Sequence, residues 1–326
     1  MGRRIEMSEN IRLQPRDKEI LERIIDFNGL NAAAIINVFF DSQKYGYRRI
    51  KQLQNNGYLK QIYYYAQNKK KGQVFSQRIA AIYYATPKAL REVGISIDPR
   101  FVVPNKEKLD VTNLIGNLFA RIPKLISKRQ AKEIYGLKNF MPISCVVPLD
   151  NPIFLYILGN KVGRQDVGRI VGFIKSDIFP NARHFIISRT FRKKLLLTNS
   201  YFIPWIFALE YLQNIVNDNY FYLNKFLEIV EEQFPGIQFL TQPEPLIKAK
   251  YQNKILHIGE LFSGSNHLRL VLQDPPENTY IYVPSRRHFY GVSLKQGSFL
   301  FYSKQDKETF EMLLRDKKMY SVPYKR

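Results

Sequence analysis

The stretch SQKYGYRRIKQLQNNGYLKQIYYYAQNKKKGQVFSQ, residues 42–77, holds eight lysines and arginines, six tyrosines and three glycines, with no aspartate or glutamate. Ser42 suits a helix N-cap, and a helix running to Asn55 would close at Asn56-Gly57, a pair that tolerates a left-handed C-terminal cap. At 3.6 residues per turn Gly46, Ile50 and Leu53 share one side. Lys44, Arg48, Lys51, Gln52 and Asn55 fall on the other, with Tyr45 and Tyr47 on its flanks. A helix face that is merely solvated usually pairs its cations with carboxylates at i,i+4. This one offers cations, amides and aromatics only. After the helix, YLKQIYYYA reads as a strand, QNKKKG as a turn and QVFSQRIAAIYYAT as a returning strand.

Upstream, LQPRDKEILERIIDFNGL predicts a helix with Pro15 in its first turn, Asp17 and Glu19 near its positive end, and Gly29 past its end. NAAAIINVFFD predicts a second helix, capped by Asn31, with Ile35, Ile36, Phe39 and Phe40 turned inward. Downstream, TPKALREVGI predicts a short helix capped by Thr86 with Pro87 at its first position. Three short helices followed by two strands with a basic tip are the pattern of a winged helix-turn-helix, expected over residues 1–98. In that arrangement the third helix lies in the major groove, where Arg reads guanine and Gln or Asn reads adenine, and the wing grips backbone or minor groove. Arg48, Gln52 and Asn55 are then candidates for base edges and Lys44 and Lys51 for phosphates. Tyr45 and Tyr47 flank that face, and Lys69, Lys70, Lys71 and Arg78 are phosphate candidates on the wing. The competing reading is a protein-docking module whose lysines only keep it soluble.

The run PRDKEILERIIDFNGLNAAAIINVFFDSQKYGYRRIKQLQNNGYLKQ and the later YYATPKALREVG resemble the replication-relaxation family of plasmid and other mobile-element proteins. The likeness covers about the first hundred residues: an opening RD-containing helix, a helix ending in an RRL-type pattern before glycine, and a strand and turn leading to glycine. It implies a DNA-binding accessory in the replication, mobilisation or control of a mobile element. Double-stranded DNA is the expected partner; a second copy is expected because winged-helix DNA readers are commonly dimers, and a relaxase or replication protein would be the partner if the chain acts as an adaptor. A transcriptional regulator of a phage or plasmid is the neighbouring alternative. Many members carry a degenerate restriction-endonuclease-like segment with a Pro-Asp step and an acidic strand. Here Pro142 is followed by Ile143, and IFLYILG holds no carboxylate. A Mg²⁺-dependent nuclease needs clustered acidic oxygens, and Asp150 alone does not replace them, so an inactive scaffold is expected.

The 326 residues suffice for two domains or three. A hydrophobic fraction of 45% and an aromatic fraction of 14% exclude a disordered chain. The net charge is +22, distributed as +9 over residues 1–100, +11 over 101–200 and +2 over 201–326; such a surplus attracts polyanions without specifying a fold. Cys145 is the single cysteine, so no intrachain disulfide forms. No signal peptide or membrane-spanning run is legible, and a cytoplasmic protein without a membrane partner is expected.

Beyond a linker at 99–108, which contains prolines, the pattern alternates. DVTNLIGNLFARIPKLI, SKRQAKEIYGL and QDVGRIVGFIKSDIF read as helices. ISCVVPL, IFLYILG and ARHFIISRT read as apolar strands, an α/β segment with parallel pairing over 109–200. Residues 201–326 read as a mixed α/β, strand-rich region: helices at PWIFALEYLQNIV and NKFLEIVEEQF, strands at LIKAKY, KILHIG, HLRLVLQ, TYIYVP and GSFLFYS, and a closing helix at KETFEMLLRD. The whole is α+β. No catalytic set, cofactor or metal site is expected. The histidines His184, His257, His267 and His288 are scattered, with no HExxH, and no GxxxxGK[ST] is present. Arg286, Arg287, His288 and Tyr290 in SRRHFYGVS faintly suggest a tyrosine recombinase, which keeps DNA cleavage and rejoining as an alternative of a different class.

Overall fold

A computed structural model describes residues 11–300 except 71–72, 139–140, 160–161, 219, 242–245, 262, 275 and 283–297, with side chains also left out at 66–70, 73–75, 233, 282 and 298–300. The chain is mixed α and β and divides into two compact units, Met1–Gly163 and Arg164–Arg326. That boundary falls within the stretch read as the α/β segment.

The first unit opens with α1 (Pro15–Asp26), β1 (Leu30–Asn31), α2 (Ala32–Phe39) and α3 (Gln43–Asn55). At the start of α1 the Gln14 amide donates to Asp17 Oδ2 at 2.7 Å. The helix buries Ile20, Leu21, Ile24 and Ile25, which lie on one side at helical spacing. Beyond its end lies Gly29, where φ is +119° and a Cβ would lie 2.9 Å from both Ile82 and Pro104. Only glycine meets both demands. Asn31 caps α2 by accepting from the Ala34 amide at 2.8 Å, as its position predicts.

A three-stranded antiparallel sheet follows, in the order β1, β3 (Gln73–Ala85), β2 (Leu59–Lys70). The β2–β3 ribbon is longer than expected. Pairing continues through Lys69↔Val74 to Lys70↔Gln73, so Lys69 and Lys70 are strand residues and not part of a turn. A register shift between Tyr64 and Tyr65 interrupts the ladder, the mark of a bulge. After α4 (Pro87–Glu92), the segment read as a linker contains two 3-10 turns, Pro99–Val102 and Lys106–Lys108.

The helix α5 (Leu109–Arg121) packs on this assembly. Phe119 lies with its ring centroid 5.0 Å from Phe27 and 6.3 Å from Phe39. Asn31 Nδ2 donates to Asn113 Oδ1 at 2.9 Å and to Asn117 Oδ1 at 2.8 Å. β4 (Ile126–Ser127), β5 (Cys145–Val147) and β6 (Ile153–Leu158) pair antiparallel; β5 and β6 are buried throughout. Between β4 and β5 runs α6 (Lys128–Tyr135), capped by Ser127, and Arg129 on it forms an ion pair with Asp26 of α1.

In the second unit α7 (Arg164–Lys175) precedes β7 (Arg183–Ser188), which pairs parallel with β8 (Ser200–Pro204). The helices α8 (Ala208–Asn217) and α9 (Phe221–Gln233) follow, then a sheet ordered β13 (Ser298–Leu300), β12 (Thr279–Tyr282), β11 (Lys254–Glu260), β10 (Ile247–Tyr251), β9 (Gln238–Phe239). Phe226, Ile229 and Val230 of α9 pack on Ile247, Ala249, Leu256 and Ile258 of that sheet. The segment HLRLVLQ, read as a strand, is instead the helix α10 (Asn266–Val271). Its alternating leucines imitate strand periodicity. β11 and β12 pair parallel, however, and parallel neighbours require a crossover. Ser265 caps it by accepting from the Leu268 amide at 3.2 Å, and Leu268 and Leu272 are buried. KETFEMLLRD and SRRHFYGVS, with Arg286, Arg287, His288 and Tyr290, lie outside the described residues. Among the described residues no helix is long and apolar enough to cross a membrane.

Candidate nucleic-acid interface

The orientation of α3 follows from its two ends and one buried ion pair. Ser42 Oγ accepts from the Tyr45 amide at 3.4 Å. At the other end the Tyr58 amide bonds to Leu53 O at 2.9 Å across Gly57, whose φ is +75°, the left-handed exit that Asn56-Gly57 predicts. Thr86 locks the ribbon to this exit: its Oγ1 donates to Gly57 O at 2.6 Å and its amide to Tyr58 O at 3.1 Å.

Arg49 binds Asp17 of α1 through two bonds, Nε to Oδ1 at 2.9 Å and Nη2 to Oδ2 at 2.5 Å. Both residues are buried, Asp17 completely. The hydrogen bonds to Asp17 push the guanidinium pKa above its ordinary value despite burial, so Arg49 is a permanently charged strut. Sequence reasoning placed Asp17 only at the helix terminus and gave Arg49 no part. The available signal was the position of Arg49 on the flank of α3 next to Gly46 and Leu53.

With Gly46, Ile50 and Leu53 buried against the neighbouring helices, Lys44, Arg48, Lys51 and Asn55 project outward and are exposed. Tyr45 and Tyr47 are 41% and 54% exposed. Gln52 is half-buried, and its Oε1 accepts from Arg49 Nη1 at 3.1 Å; its carboxamide is thereby partly committed to holding Arg49. Beside Tyr45, the Arg16 guanidinium lies 4.6 Å from the Phe40 ring centre and 5.4 Å from that of Tyr45. Arg16 thus adds a cation near the start of α3, which the sequence pattern did not suggest.

On the ribbon, Arg78 is exposed and lies 4.6 Å over the Tyr63 ring. The backbones of Lys69 and Lys70 belong to β2, while their side chains, and Lys71 as a whole, lie outside the described residues. Between α3 and the ribbon is a groove of about 620 Å³. Its helix wall is formed by Tyr47, Lys51, Gln54 and Asn55, and Ile50 and Leu59 form its floor. Lys60, Gln61 and Tyr83 form the strand wall. Burial holds the Tyr83 phenol above its ordinary pKa, so it is neutral. No aspartate or glutamate occurs anywhere from residue 42 to residue 91. The surface can therefore hold anions and stack on planar groups. Among the described residues no group of three or more His, Cys, Asp or Glu is placed to hold a metal ion. Comparison of the chain with family models, with curated proteins and with solved structures finds no match.

Proposed function

We propose that this protein binds double-stranded DNA in a sequence-directed manner through a winged helix made of α1, α2, α3 and the β2–β3 ribbon. The observation that carries the reading is the outer face of α3. Lys44, Arg48, Lys51 and Asn55 are exposed together on a helix whose opposite side is buried, within fifty residues that contain no carboxylate. A helix of this kind fits the major groove, and cations on the adjoining ribbon suit the phosphate backbone. The resemblance to the replication-relaxation family points to replication, mobilisation or control of a mobile element, with the segment around Pro142 and Ile143 acting as a non-catalytic scaffold.

Selecting a preferred site from random duplexes and titrating it over a salt series tests the reading. Affinity should fall steeply with salt, since each phosphate contact releases counterions. Replacing Lys69, Lys70 and Lys71 by alanine should flatten that slope. Arg48→Ala should cost about 1–3 kcal/mol at the preferred site and little on random duplex. Unchanged binding in both variants would refute it.

A further inference from the structure

The groove beside α3 does not end at Tyr83. Gln61, Tyr63 and Tyr65 share one face of β2 because alternate residues point the same way, and across the ladder they meet Tyr83, Ala81 and Arg78. The Tyr63 and Tyr65 rings meet edge to face with centroids 6.3 Å apart, and Gln61 Nε2 donates to the Tyr63 hydroxyl at 2.7 Å. Arg78 covers Tyr63 on the same face. The other face of the ribbon carries Ile62 opposite Ile82, which is fully buried. Along this face Tyr83 is buried and Tyr63 half-buried beneath Arg78, while the row opens to solvent at its two ends, with Tyr65 50% exposed and Tyr47 of α3 54% exposed.

We propose that this row, from the groove at Tyr47 along Tyr63 and Tyr65, is a stacking track for single-stranded DNA, so that the protein engages junctions between duplex and single strand. The proposal rests on the duplex-binding reading for α3, sharing Tyr47, Lys51 and Asn55 with it, and adds the tyrosine-bearing face of the β2–β3 ribbon. Phosphate alone would not suit the groove, because an anion gains nothing from the apolar floor of Ile50 and Leu59. An unpaired base does: its ring stacks on tyrosine, its edge meets the amides of Gln54, Asn55 and Gln61, and its phosphate meets Lys51 or Lys60. Successive bases stacking on aromatic side chains beside cations is how single strands are held without sequence preference.

The test uses the full chain and fluorescence anisotropy on a blunt duplex, the same duplex with a single-stranded tail of about six nucleotides, and the tail alone. The tailed duplex should bind about tenfold or more tighter than the blunt one, since one stacked base is worth roughly 1–3 kcal/mol. Tyr65→Leu and Tyr47→Leu, both at exposed positions, should each remove much of that gain, while Tyr65→Phe keeps it because stacking needs the ring and not the hydroxyl. A 2-aminopurine in the tail should be quenched by the protein and less so by the leucine variants. Equal affinity for blunt and tailed duplexes, or leucine variants that keep the whole gain, would overturn the proposal. A tail bound in a tyrosine-dependent way with no affinity for blunt duplex would sink the duplex reading and leave the track standing.

Discussion

Asp17 is buried, and among the described residues Arg49 is the side chain that pairs with its charge. Removing one partner of a buried ion pair leaves an uncompensated charge and costs about 3–5 kcal/mol. Asp17→Ala should therefore lower the stability seen in urea unfolding by that amount, and should weaken DNA binding only through misorientation of α3. A variant as stable as the parent would show that Arg49 finds water instead. His184 gives a pH-dependent prediction. It is buried, its ring meets Phe173 edge to face at 6.0 Å, and burial lowers its pKa to about 4 against an opposing pull from Asp177. A depressed histidine favours the neutral form in the fold, so its contribution is complete above the unfolded value near 6.5 and is lost as pH falls from there towards 4. Stability should drop by up to about 3 kcal/mol over that window. His184→Gln should flatten the profile, which thermal melts at stepped pH would measure. Both roles were hidden in the sequence because a buried ionisable group and an exposed one look alike until its tertiary surroundings are known, Arg49 lying 32 residues from Asp17 and the burial of His184 being set by the fold.

At the scale of elements, the caps and periods of α1, α2, α3 and α4 were legible. Each rests on residues within about one turn of each other: Pro15 at the start of α1, Asn31 with Ala34, Ser42 with Tyr45, and Thr86 with Pro87. What local reading could not supply is the second task of a cap. Asn31 caps α2 with its oxygen and holds Asn113 and Asn117 of α5 with its nitrogen. Asn31→Ala should therefore cost about 2–3 kcal/mol, above the roughly 1 kcal/mol of an ordinary cap. Asn31→Asp, which keeps the cap oxygen but faces two amide oxygens, should recover little of it, as chemical unfolding of the two variants would measure. The misreading of α10 has a similar origin. Leu268, Leu270 and Leu272 fit a two-residue period, while Leu268 and Leu272 alone fit a helical one, and the choice was made by the parallel pairing of β11 with β12, which joins residues 22 apart such as His257 and Thr279. The extended ribbon also escaped local reading, because lysines near a glycine suggest a turn unless the opposite strand is seen to keep pairing.

For the molecule as a whole, the charge of +22 and its concentration in the first two hundred residues set long-range attraction to polyanions, which salt screens. Incubation of supercoiled plasmid with the protein and Mg²⁺ or Mn²⁺ should leave the plasmid intact, and a specific nick or a tyrosyl adduct would require a catalytic role instead. Cys145 is fully buried and burial raises its thiol pKa; the thiolate is the reactive form. It should react with a disulfide reagent only on unfolding, with a rate that follows denaturant.

The sequence by itself determined the α+β composition, the helix starts and stops of the first hundred residues, and the outward set Lys44, Arg48, Lys51 and Asn55, because caps and helical periodicity act within a few residues. Tertiary structure decided that Arg49 is a strut for Asp17 and that Gln52 is half committed to it. It also decided that α5 packs on the first helices, that HLRLVLQ is a crossover helix, and that half-buried Tyr63 and exposed Tyr65 meet ring to ring on the ribbon face that carries Gln61 and Tyr83 of the groove. Those outcomes depend on which distant segment supplies the partner, and the energy of burial, ion pairing and strand pairing is realised only when the two segments meet.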